Sequence, residues 1–154
     1  MGERVRTAGL KPVEGALSGT LRYRKGELIL AVDERTHRLI ALYEEYKDLG
    51  PQQLREVVGR LMALFGEPTF EAHDRMLFWY FTEKGKVSRE TFEGWREAGV
   101  KPSLLAVAKF VCGRPIVEFA KKEKGKGHTQ AYFTLYSPLL IHRVLKERTL
   151  KESL

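Results

Sequence analysis

The strongest constraint on the fold is an apolar stripe in the segment GPQQLREVVGRLMALFGEP, residues 50–68. Its apolar side chains recur at helical spacing, at Leu54, Val57, Val58, Leu61, Met62 and Phe65. Pro51 suits the first helical turn, where its missing N–H costs nothing, and Gly66 followed by Pro68 ends the helix. A stripe this continuous has to be buried against another layer. It therefore predicts a helix packed on a core, and no cofactor-binding role.

The layer beneath this helix is predicted to be a sheet. Residues 18–33 form a hairpin, because apolar residues alternate on both sides of a tight turn at Lys25-Gly26. The runs MLFWYF (76–81) and LLAVAKFVC (104–112) are apolar enough for buried strands, the first central and buried on both faces. IVEFA (116–120) and QAYFTLY (130–136) are predicted as two more strands, flanking a lysine-rich tip.

One segment fits two periodicities. Residues 37–44 alternate as a third strand would, after a short turn that Asp33 and Thr36 favour. The alternative for residues 37–46 is a helix, since Leu39, Leu42, Tyr43 and Tyr46 also share a helical face. We predict the strand.

Two shorter helices complete the pattern. Ser88 is a typical N-cap, followed by inward-facing Phe92 and Trp95 and by Gly99 as the stop. Ser137-Pro138 begins a C-terminal helix whose predicted inward residues are Leu140, Val144 and Leu145. The sum is a single α+β domain over residues 1–154, with a mostly antiparallel sheet, about three helices and a loose start at residues 1–15.

Composition favours a soluble cytoplasmic protein. The chain is 43% hydrophobic and 31% charged, which is typical of a globular domain. It has no apolar run near the ~20 residues that cross a bilayer, and no apolar segment near its start that would resemble a secretory signal. A single cysteine, Cys112, fits a reducing compartment. We therefore expect no membrane association.

The amide content indicates the source rather than the function. The chain has no asparagine, and its glutamines are Gln52, Gln53 and Gln130, while lysine, arginine and glutamate are abundant. Loss of thermolabile amides with gain of Lys and Glu is the direction that heat-adapted proteins take. The composition is thus thermophile-like.

The excess of positive over negative charge lies in the last third of the chain. Residues 101–154 hold eleven Lys/Arg against four Asp/Glu, which matches the whole net charge of +7. The predicted basic hairpin lies there, and its candidate polyanion-binding residues are Lys121, Lys122, Lys124, Lys126, His128, Tyr132 and Tyr136. Lysines neutralise phosphates and tyrosines stack on unpaired bases, so the segment predicts sequence-independent binding of nucleic acid or another polyanion. The alternative is a solvated hairpin tip, where charge prevents aggregation.

The same segment fails as a phosphate loop. Gly125-Lys126 is followed by Gly127, where Ser or Thr is required, and Ala120 occupies the position of the first glycine.

An acidic pair offers an alternative function. Asp33 at a strand end, followed by Glu45 and Lys47, has the spacing of metal-dependent phosphodiesterases and nucleases. In such a site the two carboxylates hold a divalent ion and the lysine stabilises charge. The competing interpretation is an ordinary surface ion pair.

Other chemistry-bearing residues are dispersed. In EAHDR, Glu71, His73 and Arg75 are predicted on one strand face, which gives at most two ligands where a zinc site needs three. Cys112 lies in an apolar strand and is predicted to be inert. We therefore expect no metal, no cofactor and, on balance, no catalysis.

A third possible function, besides polyanion binding and phosphodiester hydrolysis, is that of a structural subunit that pairs with itself or with another protein.

Overall fold

The chain forms one antiparallel sheet with four helices, as a computed structural model describes for residues 10–13, 19–122 and 127–152, with the backbone alone for 147–152. The strands are β1 (Lys11–Val13), β2 (Thr20–Lys25), β3 (Leu28–Asp33), β4 (Leu39–Leu49), β5 (Phe70–Ala72), β6 (Met76–Thr82), β7 (Gly85–Lys86), β8 (Ala106–Cys112) and β9 (Thr129–Tyr136). The helices are α1 (Pro51–Phe65), α2 (Arg89–Ala98), α3 (Ile116–Ala120) and α4 (Pro138–Glu152).

The sheet brings together strands that are far apart in sequence. Its order is β1-β2-β3-β4-β9-β8-β6-β5, with β7 paired to the end of β6. Every pairing is antiparallel, and β9 enters between β4 and β8. This confirms an antiparallel α+β fold, although the sheet dominates and the described part of the chain has four helices rather than about three.

The predicted apolar stripe of α1 covers one face of the sheet. Leu54, Val57 and Leu61 are buried and share a core cluster with Trp79 of β6 and Phe110 of β8. The predicted boundaries are also confirmed, because α1 begins at Pro51 and Gly66 follows it with a φ of 76°. This side of the sheet is the helix-covered face.

The ambiguous segment is a strand. β4 runs the eleven residues Leu39–Leu49 and pairs with β3 on one side and β9 on the other. Leu42 lies opposite Leu30 and Leu135, so its side chain packs across three strands. Cross-strand burial of this kind explains why the strand is preferred to the helix. The predicted hairpin of β2 and β3 is confirmed as well, with Lys25 opposite Leu28.

The prediction for IVEFA was wrong, because residues 116–120 form helix α3 rather than a strand. Both neighbours of β8 are already occupied, by β6 and β9, so no edge is left for a strand at this place. The helix start is instead held by Asp74, whose carbonyl oxygen accepts from the Ile116 N–H at 2.6 Å and whose carboxylate accepts from the Val117 N–H at 3.3 Å. The lysine-rich segment therefore connects a helix to β9, and the basic C-terminal hairpin does not exist.

In the EAHDR segment Glu71 and Ala72 end β5, and residues 73–75 form a turn rather than a continued strand face. His73 and Asp74 have φ of 53° and 52°, and the Arg75 N–H donates to the Ala72 carbonyl at 3.0 Å. Two successive residues with positive φ form the two-residue turn that matches the twist of a hairpin. The turn joins β5 to β6, so the side chains of this segment do not line up as alternating ligands.

Helices α2 and α4 lie on the opposite side of the sheet from α1. The Phe92 ring of α2 is 5.3 Å from the Phe70 ring and 5.2 Å from the Tyr80 ring. The predicted caps of α2 are confirmed, since the Ser88 hydroxyl accepts from the Thr91 N–H and Gly99 has a φ of 68°.

The C-terminal helix α4 covers β2, β3 and β4 on that same side. Val144 of α4 is buried there, whereas Leu140 is half-buried and Leu145 is exposed, so the predicted inward face is only partly confirmed. None of the described helices is long and apolar enough to cross a membrane.

Candidate nucleic-acid interface

The middle of this second side of the sheet, between α2 and α4, is what we call the open face. Alternation places on it every second residue of β4, β9, β8 and β6. The prediction that β6 is buried on both sides was therefore only half right. Its Leu77 and Trp79 are buried on the helix-covered face, but Phe78 and Tyr80 on the other face are half-buried.

Four side chains form a continuous row across the open face, which we call the aromatic row: Tyr43 of β4, Tyr132 of β9, Lys109 of β8 and Phe78 of β6. The Tyr43 and Tyr132 ring centroids are 5.7 Å apart, at an interplanar angle of 32°. The Lys109 ammonium lies 5.9 Å from the Tyr132 centroid and 5.8 Å from that of Phe78. A cation at this distance is attracted by both rings, and this attraction positions Lys109.

The phenol groups beside the row stay protonated at neutral pH. Burial raises the pKa of Tyr43, and the charges of Glu45 and Tyr132 raise it further. Burial also raises the pKa of Tyr136, the residue at the end of β9. Tyr43 and Tyr136 therefore present neutral rings and hydroxyl groups, which do not repel a phosphate.

Positive charge extends from the row toward the sheet edge. The register places Arg22 and Arg24 of β2 on the same side of the sheet as Tyr43, and both are exposed. Glu45, opposite Tyr132, adds an acid to this face. The aromatic row thus combines flat apolar rings with the Lys109 cation, and Arg24 lies two strands from Tyr43, in register with it. Rings and cations together are the chemistry of a surface that binds unpaired bases and phosphates.

Comparisons with protein-family models, curated proteins and solved structures found no match. The interpretation of the site therefore rests on its own residues.

The structure separates the residues that the sequence grouped into one binding site. Tyr132 and Tyr136 lie on the open face, as their alternation predicted. Lys121 and Lys122 follow α3 on the helix-covered face, where Arg55 of α1 donates to the Lys122 carbonyl. The Lys122 ammonium lies 5.7 Å from the Phe119 ring centroid.

Of the remaining members of that group, His128 is described by the structure. Exposed His128 lies 3.8 Å from the Asp48 carboxylate, just before β9. Lys124 and Lys126 are outside the described residues.

Sequence reasoning missed three residues of the aromatic row: Tyr43, Lys109 and Phe78. Only Lys109 left a clear signal, since it is the one charged residue in the apolar run LLAVAKFVC. A charge inside a buried strand has to reach solvent or a partner. That signal could have identified one side of β8 as exposed.

The acidic pair does not converge. Asp33 ends β3, whereas the Glu45 N–H donates to the Glu27 carbonyl at 3.5 Å, just before β3 begins. Glu27 and Asp33 are six residues apart along this strand, and a rise of about 3.3 Å per residue puts roughly 20 Å between them. Lys47 lies 3.9 Å from the Glu27 carboxylate and so belongs to that far end. Asp33 and Glu45 therefore cannot share one metal ion.

No metal cluster is found elsewhere in the described ranges. There, no three residues among His, Cys, Asp and Glu come together as a metal site. Cys112 is buried, with its Sγ 3.8 Å from the Thr129 hydroxyl.

Asp33 instead stabilises the turn between β3 and β4, as its turn-forming character predicted. Its carboxylate accepts from the Arg35 N–H at 2.8 Å and the Thr36 N–H at 3.1 Å, and Arg143 of α4 lies 3.9 Å away. Burial acts to raise the pKa of Asp33, but these two N–H groups and the charges of Arg35 and Arg143 outweigh it, and the pKa is lowered.

Asp33→Ala is expected to lower the free energy of unfolding at neutral pH by about 2 kcal/mol, because two N–H groups lose their charged acceptor. A lowered pKa stabilises the fold above the unfolded value, and this stabilisation is lost as the pH falls through the folded pKa. The difference between wild type and variant should therefore shrink as the pH falls below about 4. Urea unfolding across that pH range measures it, with exposed Glu34→Ala as the control. A difference that stays constant on acidification would contradict this role.

Proposed function

We propose that this protein binds single-stranded nucleic acid, without reading its sequence, across the open face. The observation that carries the proposal is the aromatic row, in which the Lys109 ammonium lies between the Tyr132 and Phe78 rings. Every base has a flat face, so stacking on such rings tolerates any sequence. The lysine neutralises a phosphate next to the stacked base.

The flat shape of the site favours single strands over duplexes. Reading a duplex takes a helix or ribbon that enters a groove, and the row is instead part of a sheet surface. In a duplex the base faces are already stacked on each other and are closed to protein rings. The row crosses three inter-strand intervals of about 4.8 Å, roughly 14 Å in total, which suits only a few nucleotides.

Strand β9 extends this contact in the proposal. β9 carries Tyr132 and Tyr136 on the open face, and His128 precedes it directly. A nucleic-acid strand that follows β9 from Tyr132 toward the first residue of β9 would meet His128. In this proposal Lys121 and Lys122, which follow α3 on the helix-covered face, take no part in the contact.

The proposal predicts a salt-dependent preference for single strands. Fluorescence anisotropy with a labelled 20-nucleotide poly-dT or poly-U strand should show binding at ~50 mM salt, the low end of the usual range. With about four phosphate contacts, affinity should fall about fiftyfold between 50 and 200 mM salt. A duplex of the same length should bind more weakly at each salt concentration, since its bases cannot stack on the row.

Three outcomes would count against the proposal. Absence of binding to either strand at ~50 mM salt contradicts it outright. Heparin that binds as tightly as the single strand, and displaces it fully, would indicate a general polyanion site. A dimer in light scattering that dissociates when Tyr132 is replaced would assign the open face to a second copy of the chain, as a structural subunit would need.

A further inference from the structure

A second candidate site, which is concave, lies on the helix-covered face, away from the aromatic row. It is a cavity of 460 Å³ between α1, α3 and the β5–β6 turn. Its apolar lining comes from Val58, Met62, Leu77, Ile116, Val117 and Ala120. This volume lies in the range of small-ligand sites, which are mostly apolar with a few polar groups that orient the ligand.

The acids at the rim of the cavity already have partners. Glu71 pairs with Arg89 at 3.2 Å. The Asp74 carboxylate accepts from the Val117 N–H at the start of α3. Neither carboxylate is left to attract a cation into the cavity.

Of the two bases at the rim, Arg55 is engaged by backbone groups as Asp74 is. Arg55 donates to the carbonyl oxygens of Ala120 and Lys122, which are neutral acceptors. Among the residues with described positions, no carboxylate lies within salt-bridging distance of Arg55 or Lys121. Asp74 and Arg55 are thus each held by backbone groups at or next to the two ends of α3, and Lys121 is the rim charge for which the described part of the chain shows neither an ion pair nor a hydrogen bond. An anionic head near Lys121 would complement it.

One wall of the cavity is formed by a glycine, which has no side chain to fill the space. Gly59 lies inside α1 and lines the cavity, and a Cβ built there would meet no atom within 4 Å. Glycine is unfavourable inside a helix. No neighbouring atom requires a glycine at this position, but its missing side chain leaves the cavity open. A larger side chain at this position would enter the free space that a ligand would use.

We infer that this cavity binds a small amphiphilic anion, with an apolar body on the Val58 and Ile116 side and a carboxylate or similar head near Lys121 and Arg55. The inference does not depend on nucleic-acid binding, because the cavity and the aromatic row lie on opposite faces of the sheet. Decanoate, below its micelle concentration, has the chemistry required.

The test is competition of decanoate against the fluorescent anion anilinonaphthalene sulfonate. Decanoate should displace this probe with a saturable curve, whereas decanol and decylammonium should displace it at least about fivefold less well, because they lack the negative head. Decanol that competes as well as decanoate would overturn the charge recognition. No saturable displacement by decanoate would overturn the site.

Two matched pairs of variants locate the binding. Lys121→Glu should weaken decanoate at least about fivefold, whereas Lys122→Glu, whose lysine lies over Phe119 instead, should change it less than about twofold. Gly59→Leu should abolish saturable binding. Gly94→Leu is its control, since Gly94 is also helical with nothing within 4 Å of a built Cβ, but lines no described cavity. Equal effects within either pair would overturn the assignment, and circular dichroism confirms that each variant is folded.

Discussion

Replacing Trp79 by alanine is expected to lower the free energy of unfolding by about 3–5 kcal/mol, a large part of the 5–15 kcal/mol that stabilises a typical domain. Trp79 has no exposed surface and lies on β6, inside the sheet. Its ring packs 5.7 Å from that of Phe65, and its Nε1–H donates to the Gly66 carbonyl at 2.9 Å. The side chain therefore joins β6 to the end of α1, and its removal leaves both a cavity and an unpaired carbonyl.

Trp95 is the matched control for this prediction. It is the second tryptophan of the chain and lies half-buried on α2, a helix in which no residue is buried. Trp95→Ala should cost about 1 kcal/mol or less, because little apolar area is removed from the interior. Urea unfolding followed by circular dichroism reports both variants without relying on tryptophan fluorescence. Similar losses for the two would mean that α1 is not held to the sheet through Trp79.

The elements that were predicted correctly are those with local signals. Pro51 and Gly66 delimit α1, Ser88 and Gly99 delimit α2, and each acts within a turn of its own position. Helix caps and turn residues of this kind do not depend on the rest of the fold. For that reason their boundaries could be predicted from a single sequence.

The segment 116–120 shows where local signals stop being sufficient. Its β-branched residues Ile116 and Val117 favour a strand, yet it is helical. The deciding contacts come from distant elements, from Asp74 at its start and from Arg55 at its end. Tertiary contacts overrode propensity in a segment too short to have a strong preference, and the mistaken hairpin followed from that.

The candidate site could be predicted only strand by strand. Alternation along β9 correctly placed Tyr132 and Tyr136 on one face and Phe133 on the other. The aromatic row, however, depends on the order β4-β9-β8-β6, in which β9 lies between strands that precede it by many residues. No periodicity within one strand carries that information. The contact of Tyr43 and Lys109 with Tyr132 therefore required the fold.

Replacing Tyr132 by alanine is expected to weaken single-strand binding by about 5- to 150-fold, which corresponds to the 1–3 kcal/mol of one base–aromatic stack. Tyr132 is the centre of the aromatic row, since its ring contacts Tyr43 on one side and the Lys109 ammonium on the other. Its loss removes one stacking surface and one of the two rings that position the cation. Tyr132→Phe keeps both functions of the ring and should bind nearly as wild type.

The salt dependence then separates stacking from charge. Tyr132→Ala should lower affinity at every salt concentration and leave the slope of log K against log salt unchanged, because the number of neutralised phosphates stays the same. Lys109→Gln should instead reduce the magnitude of that slope by about 0.7, the value for one phosphate contact on a single strand. Tyr23→Ala controls for general destabilisation, since Tyr23 is half-buried on the helix-covered face. If Tyr23→Ala weakens binding as much as Tyr132→Ala does, or if Tyr132→Phe binds no better than Tyr132→Ala, the bases do not stack on this row.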